Sequence, residues 1–142
     1  MKYLLDTCVI SELAKPLPNR AVVEWLTQTP SEELFLSVIT IGEICKRIGK
    51  LENSKRKVLL TNWINSLLDE YQSRILPIDQ SVAETWGILQ AKAERKGSPM
   101  ASIDSLIAAV ATTHNLVLVT RNESDFVAVE QPVFNPWTLT NR

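Results

Sequence analysis

Apolar positions along this chain follow two rhythms, short β-prone runs and longer stretches with apolar residues three and four apart. The run Lys2-Tyr3-Leu4-Leu5 stops abruptly on Asp6 and Thr7. A run of that length bounded by a polar residue predicts a buried strand whose carboxyl end presents Asp6. Helical spacing follows from Thr7 to Ala14 until Pro16 and Pro18 break it, and again from about Ala21 to Gln28, ended by Pro30. Leu34-Phe35-Leu36-Ser37 reads as a second strand. From Thr40 to Lys50, Ile41, Ile44, Cys45 and Ile48 keep helical spacing. A longer amphipathic helix is expected from about Ser54 to Tyr71, carrying Val58, Leu59, Trp63, Ile64, Leu67 and Leu68.

Ile75-Leu76-Pro77-Ile78 reads as a third strand, and its proline favours an edge position. A helix from about Ser81 to Lys96 closes at Gly97-Ser98-Pro99, and a strongly apolar one from Ser102 to His114 closes at Asn115. Val117-Leu118-Val119-Thr120 and Val133-Phe134 complete the strands. Strands alternating with helices at this spacing predict a three-layer α/β/α sandwich around a parallel sheet of four to five strands.

The length of 142 residues suits one domain over 1–142, able to bury about two-thirds of its unfolded surface without disulfide or structural metal. The composition, 45% hydrophobic and 22% charged, is that of an ordinary globular protein. No apolar run approaches the roughly 18 residues of a membrane span, and the first strand starts too early for a leader, so a cytoplasmic protein is expected. Cys8 and Cys45 lack metal-ligand spacing and read as small buried residues in a reducing compartment. A net charge of −1 excludes a protein held on nucleic acid by bulk charge, so any such contact must be local.

Four acids stand out, and each has a structural explanation. Asp6 can cap the following helix. Glu43 completes Thr40-Ile41-Gly42-Glu43, a match to the capping box. Asp104 falls in a first helical turn, which the macrodipole favours, and Asp125 can belong to a turn after the fourth strand. Taken together, however, all four fall at carboxyl ends of strands or amino ends of helices, which share one edge of a parallel sheet. Carboxylates converging there repel one another unless a cation intervenes, and an all-oxygen set suits Mg²⁺ or Mn²⁺. Such a site hydrolyses phosphodiesters. Asp79 also follows a strand, but an edge strand would place it far from the centre, and it suffices as a cap.

Leu4-Leu5-Asp6-Thr7-Cys8-Val9-Ile10-Ser11-Glu12, Ser37-Val38-Ile39-Thr40 with Glu43, Asp104-Ser105-Leu106-Ile107-Ala108-Ala109, and Thr120-Arg121-Asn122 with Asp125-Phe126 occur in that order. In this order they resemble the PIN-domain ribonucleases, specifically the VapC and FitB toxins of bacterial toxin–antitoxin pairs. Val133-Phe134-Asn135-Pro136-Trp137 is similar to the FitB-type ending. The resemblance implies a metal-dependent endoribonuclease with Asp6, Glu43, Asp104 and Asp125 as the metal-binding quartet and Thr7, Thr120 and Asn122 in support. It also implies a small antitoxin from a neighbouring gene and a homodimer. Some of the apolar residues of the first helices, which include Ile10, Leu13, Val22 and Trp25, are expected to stay exposed as an antitoxin groove. Many relatives carry asparagine where this chain has Cys8, and FitB-like relatives can place aspartate at Asn122, which leaves open whether Asn122 or Asp125 lies nearer the metal.

The basic run Lys46, Arg47, Lys50, Lys55, Arg56 and Lys57 reads as a solvated helix end, or, through Lys46 and Arg47, as a hold on RNA phosphates. Arg121, beside the site residues, is the better single candidate for phosphate contact. His114, the only histidine, suits a helix carboxyl end, and Trp25, Trp63 and Trp86 suit the core or an interface. Two rival readings are a haloacid-dehalogenase-like phosphatase and a non-catalytic binding module of the same fold. The first needs an aspartate where Cys8 stands, and the second leaves the four acids unexplained.

Overall fold

The computed structural model describes residues 1–139. Five strands form one parallel sheet: β1 (Tyr3–Leu5), β2 (Leu34–Ser37), β3 (Ile75–Leu76), β4 (Val117–Val119) and β5 (Val133–Phe134), in the order β3-β2-β1-β4-β5. Six helices cover it: α1 (Thr7–Leu13), α2 (Arg20–Gln28), α3 (Val38–Gly49), α4 (Lys55–Glu70), α5 (Gln80–Arg95) and α6 (Ser102–Thr113). This is the expected three-layer arrangement. Its strand order reverses at β1, which is followed in sequence by β2 on one side and flanked by β4 on the other. A crevice opens at such a switch point, beyond the carboxyl ends of the strands.

Alternation along the strands builds two cores. Leu5, Leu36 and Val119 point into a cluster with Val9, Ile10, Val22, Ile44 and Ile64, contributed by α1 to α4. Their neighbours Leu4 and Leu118 point the other way, onto Val82, Ile107, Ala108 and Phe126. A period of two sends successive side chains to opposite faces, so runs buried on both faces are apolar throughout. Burying each large side chain contributes on the order of 2 kcal/mol. Trp25 packs edge-on against Tyr3 with ring centroids 5.0 Å apart, and Trp63 and Trp86 join the two clusters from their margins.

Several local expectations hold and others do not. β3 is an edge strand, but its ladder ends at Leu76 because Pro77 has no N–H to donate. Asn115, at φ 54°, closes α6: its N–H donates to the Thr112 carbonyl and that of Leu116 to the Ala111 carbonyl. Gly97 closes α5 in the same way at φ 73°. On α4, the expected apolar residues Val58 and Leu59 are exposed, because the inward stripe runs through Leu60, Trp63, Ile64 and Leu67. Cys45 is exposed, not buried, since it lies off the Ile41, Ile44 and Ile48 stripe, and Cys8 is half-buried. Ile10 and Val22 are fully enclosed and cannot line an open groove.

Candidate active site

The crevice beyond β1 and β4 is built by hydrogen bonds between residues far apart in sequence. Asp6 leaves β1 with its backbone N–H still donating to the Val119 carbonyl at 2.9 Å, then caps α1. Its Oδ1 accepts from the Thr7 N–H at 2.8 Å, and its Oδ2 accepts from Thr120 Oγ1 at 2.8 Å. The capping and functional readings of Asp6 therefore use different oxygens. Thr120 in turn accepts from the Asn122 N–H at 3.0 Å. Cys8 completes the collar, with Sγ 3.6 Å from Asp6 Oδ2 and accepting from the Arg121 N–H at 3.4 Å. Burial pushes the Asp6 carboxyl up, and Glu43 adds to the rise, while the donors from Thr120, Thr7 and Cys8 pull it down.

Glu43 reaches the crevice because α3 starts earlier than its sequence pattern predicts. Ser37 is the N-cap, its Oγ accepting from the Ile39 N–H at 3.1 Å, so Thr40 and Glu43 lie inside the helix and form no capping box. Both side chains turn toward α1 instead. Thr7 Oγ1 donates to Glu43 Oε1 at 2.5 Å and lies 3.1 Å from Thr40 Oγ1. The single hydroxyl proton of Thr7 is committed to Glu43, so Thr40 must be the donor in the second bond. A directed chain, Thr40 to Thr7 to Glu43, links the two helices.

Asp104 opens α6, and Asp125 lies in a 3₁₀ turn over Glu123–Phe126. The two share a cleft of about 210 Å³ with Ser98, Pro99, Met100, Ala101 and Ser124. Burial raises the Asp104 carboxyl to about 6, helped by the charges of Asp6, Asp125 and Glu43 in that order. The charges of Asp6, Asp125 and Glu43 thus all reach Asp104 at one edge of the sheet. Among the described residues, no group of three or more His, Cys, Asp or Glu side chains is arranged to hold a metal ion directly. What the crevice offers is hard oxygen donors, a donor type that suits a divalent ion such as Mg²⁺.

The other expected residues divide. Asn122 contributes its backbone N–H, while of the Asn122–Asp125 pair only Asp125 lines the cleft with Asp104. Arg121 is exposed, its guanidinium 5.6 Å over the Trp137 ring. Lys46, Arg47 and Lys50 border a groove beside Glu43, whereas Arg47 and Arg56 border an apolar groove on the far side of α3. Arg47 is tied there to Ser11 Oγ at 2.7 Å, and Lys57 donates to the Leu51 carbonyl at 3.0 Å. Asp79 caps α5 through the Val82 N–H at 3.0 Å, beside the edge strand. His114 is the C-cap of α6, and its side chain is exposed. Sequence reasoning passed over Thr40 and the contacts of Cys8. The signals for Thr40 were its place three residues before Glu43, which the capping-box pattern explained equally well, and its place in the Ser37–Thr40 motif.

The chain matches the PIN-domain family model over residues 3–131. It is 40% identical over 135 residues to the toxin FitB of Neisseria gonorrhoeae, covering 94% of this chain and 97% of that protein. It is 35% identical over 135 residues to the VapC ribonuclease Y4jK of Sinorhizobium fredii, covering 94% and 96%. A solved structure of FitAB bound to DNA superposes with a TM-score of 0.92 at 38% identity, covering 99% of both chains. On a full-length sequence match, a shared fold and acids gathered at the switch point of the sheet, the chain belongs to the PIN-domain family, alongside its FitB- and VapC-like members.

Proposed function

We propose that this protein is a divalent-metal-dependent endoribonuclease that cuts single-stranded or loop RNA and is the toxin of a toxin–antitoxin pair. The observation that carries the reading is the joining of Asp6, Glu43, Asp104 and Asp125, from four separate segments, at one edge of the sheet. Asp6 and Asp104 would hold Mg²⁺ or Mn²⁺, with Glu43 and Asp125 beside them. When bound, such an ion offsets charge developing on the phosphate and assists an attacking water.

The protein's own residues do the rest. Thr120 and the Thr7 N–H fix both oxygens of Asp6. Thr7 fixes Oε1 of Glu43 and leaves Oε2 without a hydrogen bond among the described residues, available to orient water or take its proton. The names of the relatives support this reading, one being a toxin and one a ribonuclease. A structured RNA with one accessible loop, such as a tRNA, fits as the substrate, because unpaired bases are what proteins read in RNA.

The antitoxin is assigned to the apolar groove of about 220 Å³ between α1, α3 and α4, bordered by Ala14, Ile44, Ile48, Leu51, Leu60 and Trp63. A partner's amphipathic helix would lay its apolar face there. Homodimer formation rests on the family resemblance. The deciding experiment sequences RNA ends after brief expression of wild type and Asp104→Asn, then repeats cleavage in vitro with Mg²⁺, Mn²⁺ or EDTA. Identical RNA ends in both strains, or cleavage undiminished by EDTA, rejects the reading.

A further inference from the structure

The roomier of the two spaces flanking the acids lies along α3. It measures about 480 Å³ and is bordered by Val38, Glu43, Lys46, Arg47, Lys50 and Ile103, the Arg47 guanidinium being held by Ser11 Oγ. Glu43, Lys46 and Lys50 stand three and four residues apart, so they share one face of the helix. Both lysines are exposed and have no ion-pair partner among the described residues. Between them and α6, Val38 and Ile103 present apolar surface, 38% and 40% exposed. The cleft holding Asp104 and Asp125 has no lysine or arginine on its border. The first turn of α6 divides the two spaces, Ile103 facing one and Asp104 the other.

We infer that the α3 groove is a subsite for unpaired RNA nucleotides on one side of the scissile phosphate, with Lys46 and Lys50 on two backbone phosphates and Val38 and Ile103 against a base. A groove that alternates cations with an apolar floor fits a single strand, whose base faces are free to leave the stack. A duplex keeps those faces covered. Glu43 borders this groove, so a strand lying in it reaches the edge of the acidic site there. An acidic peptide would supply the charge but no flat apolar face for Val38 and Ile103. The placement beside a scissile bond rests on the ribonuclease reading, whereas binding of a single strand does not.

The test measures binding of a short fluorescein-labelled oligouridylate across a KCl series in the Asp104→Asn background, alone or with Lys46→Gln and Lys50→Gln together. Lys92→Gln with Lys96→Gln is the control, because it removes the same charge with the same spacing from exposed positions on and just beyond α5. Each lost phosphate contact should flatten the plot of log affinity against log salt by about 0.7, so the α3 pair should lose about 1.4 and the control nothing. A duplex of equal length should bind the parent variant at least tenfold more weakly than the single strand. Equal flattening in both variants, no binding by the parent, equal affinity for the duplex, or displacement by oligoglutamate as effective as by unlabelled RNA would each overturn the subsite. If the slopes behave as expected but wild type never cuts RNA with Mg²⁺ or Mn²⁺, the subsite stands and the ribonuclease reading falls. If wild type cuts while the α3 pair changes no slope, the reading stands and the subsite falls.

Discussion

Thr7 Oγ1 donates to Glu43 Oε1 at 2.5 Å, joining the first residue of α1 to the second turn of α3 across 36 positions of sequence. A hydrogen bond to a carboxylate contributes about 1.5–3 kcal/mol. Thr7→Val keeps the branched shape and removes that donor, so single-turnover cleavage should fall about 10- to 100-fold, and the melting temperature should drop by several degrees with the fold intact. Thr40→Val removes the neutral bond behind it and should cost roughly fivefold. Thr7→Ser should restore most of the rate, and a serine variant no better than valine would show that the hydroxyl is not what matters.

Replacing Asp6 or Asp104 with Asn keeps size and polarity while removing one charge. RNA cleavage should drop by about two orders of magnitude or more with the fold intact by circular dichroism, as removal of a group acting on developing charge does. Glu43→Gln and Asp125→Asn should follow in the same direction. Asp79→Asn is the control: asparagine also caps helices, so the cost should be about 1 kcal/mol or less and turnover should be unchanged. Loss of cleavage in Asp79→Asn with Asp104→Asn still active would move the site to the other end of the sheet.

The raised carboxyls have a pH signature. Asp104 titrates near 6 in the folded protein against an ordinary value of 3.8, and Asp6 is displaced the same way. Between those values the folded state binds more protons than the unfolded, so this contribution to stability is present at low pH and is lost as pH rises from about 4 to about 6. In EDTA, Asp104→Asn should therefore melt above wild type at pH 7, with the gap closing toward pH 4. Adding Mg²⁺ or Mn²⁺ should raise the wild-type melting temperature at pH 7 by binding the folded state, and raise that of Asp104→Asn much less. Parallel melting curves across the pH series would contradict the electrostatic coupling.

Leu60 and Trp63 border the apolar groove on α4 and are half-buried there. Co-expression with the product of a short neighbouring reading frame should relieve growth inhibition, and the two proteins should co-purify. Leu60→Gln should weaken that capture at least tenfold while leaving cleavage by the free protein unchanged. A complex indifferent to Leu60→Gln and Trp63→Ala would place the partner elsewhere.

Features that depend on near neighbours were legible along the chain. Apolar runs ended by polar residues located the strands, three-and-four spacing located the helices, and Asp79, Gly97 and Asn115 marked helix ends where the backbone needs a cap or a positive φ. The convergence of Asp6, Glu43, Asp104 and Asp125 was also legible, because helix and strand polarity in a parallel sheet places such ends on one edge. Tertiary structure decided the rest. Thr120 meets Asp6 across 114 positions only because β4 lies beside β1. Ser37 and Thr40 were equally good caps locally, and the burial of Thr40 against Thr7 favours the longer helix that aims Glu43 at the crevice. Which face of α3 borders the acids, and hence the division of one basic run between two grooves, follows from how that helix packs between α1, α4 and α6. No sequence window carries that information, because it is set by contacts among residues that local periodicity treats as independent.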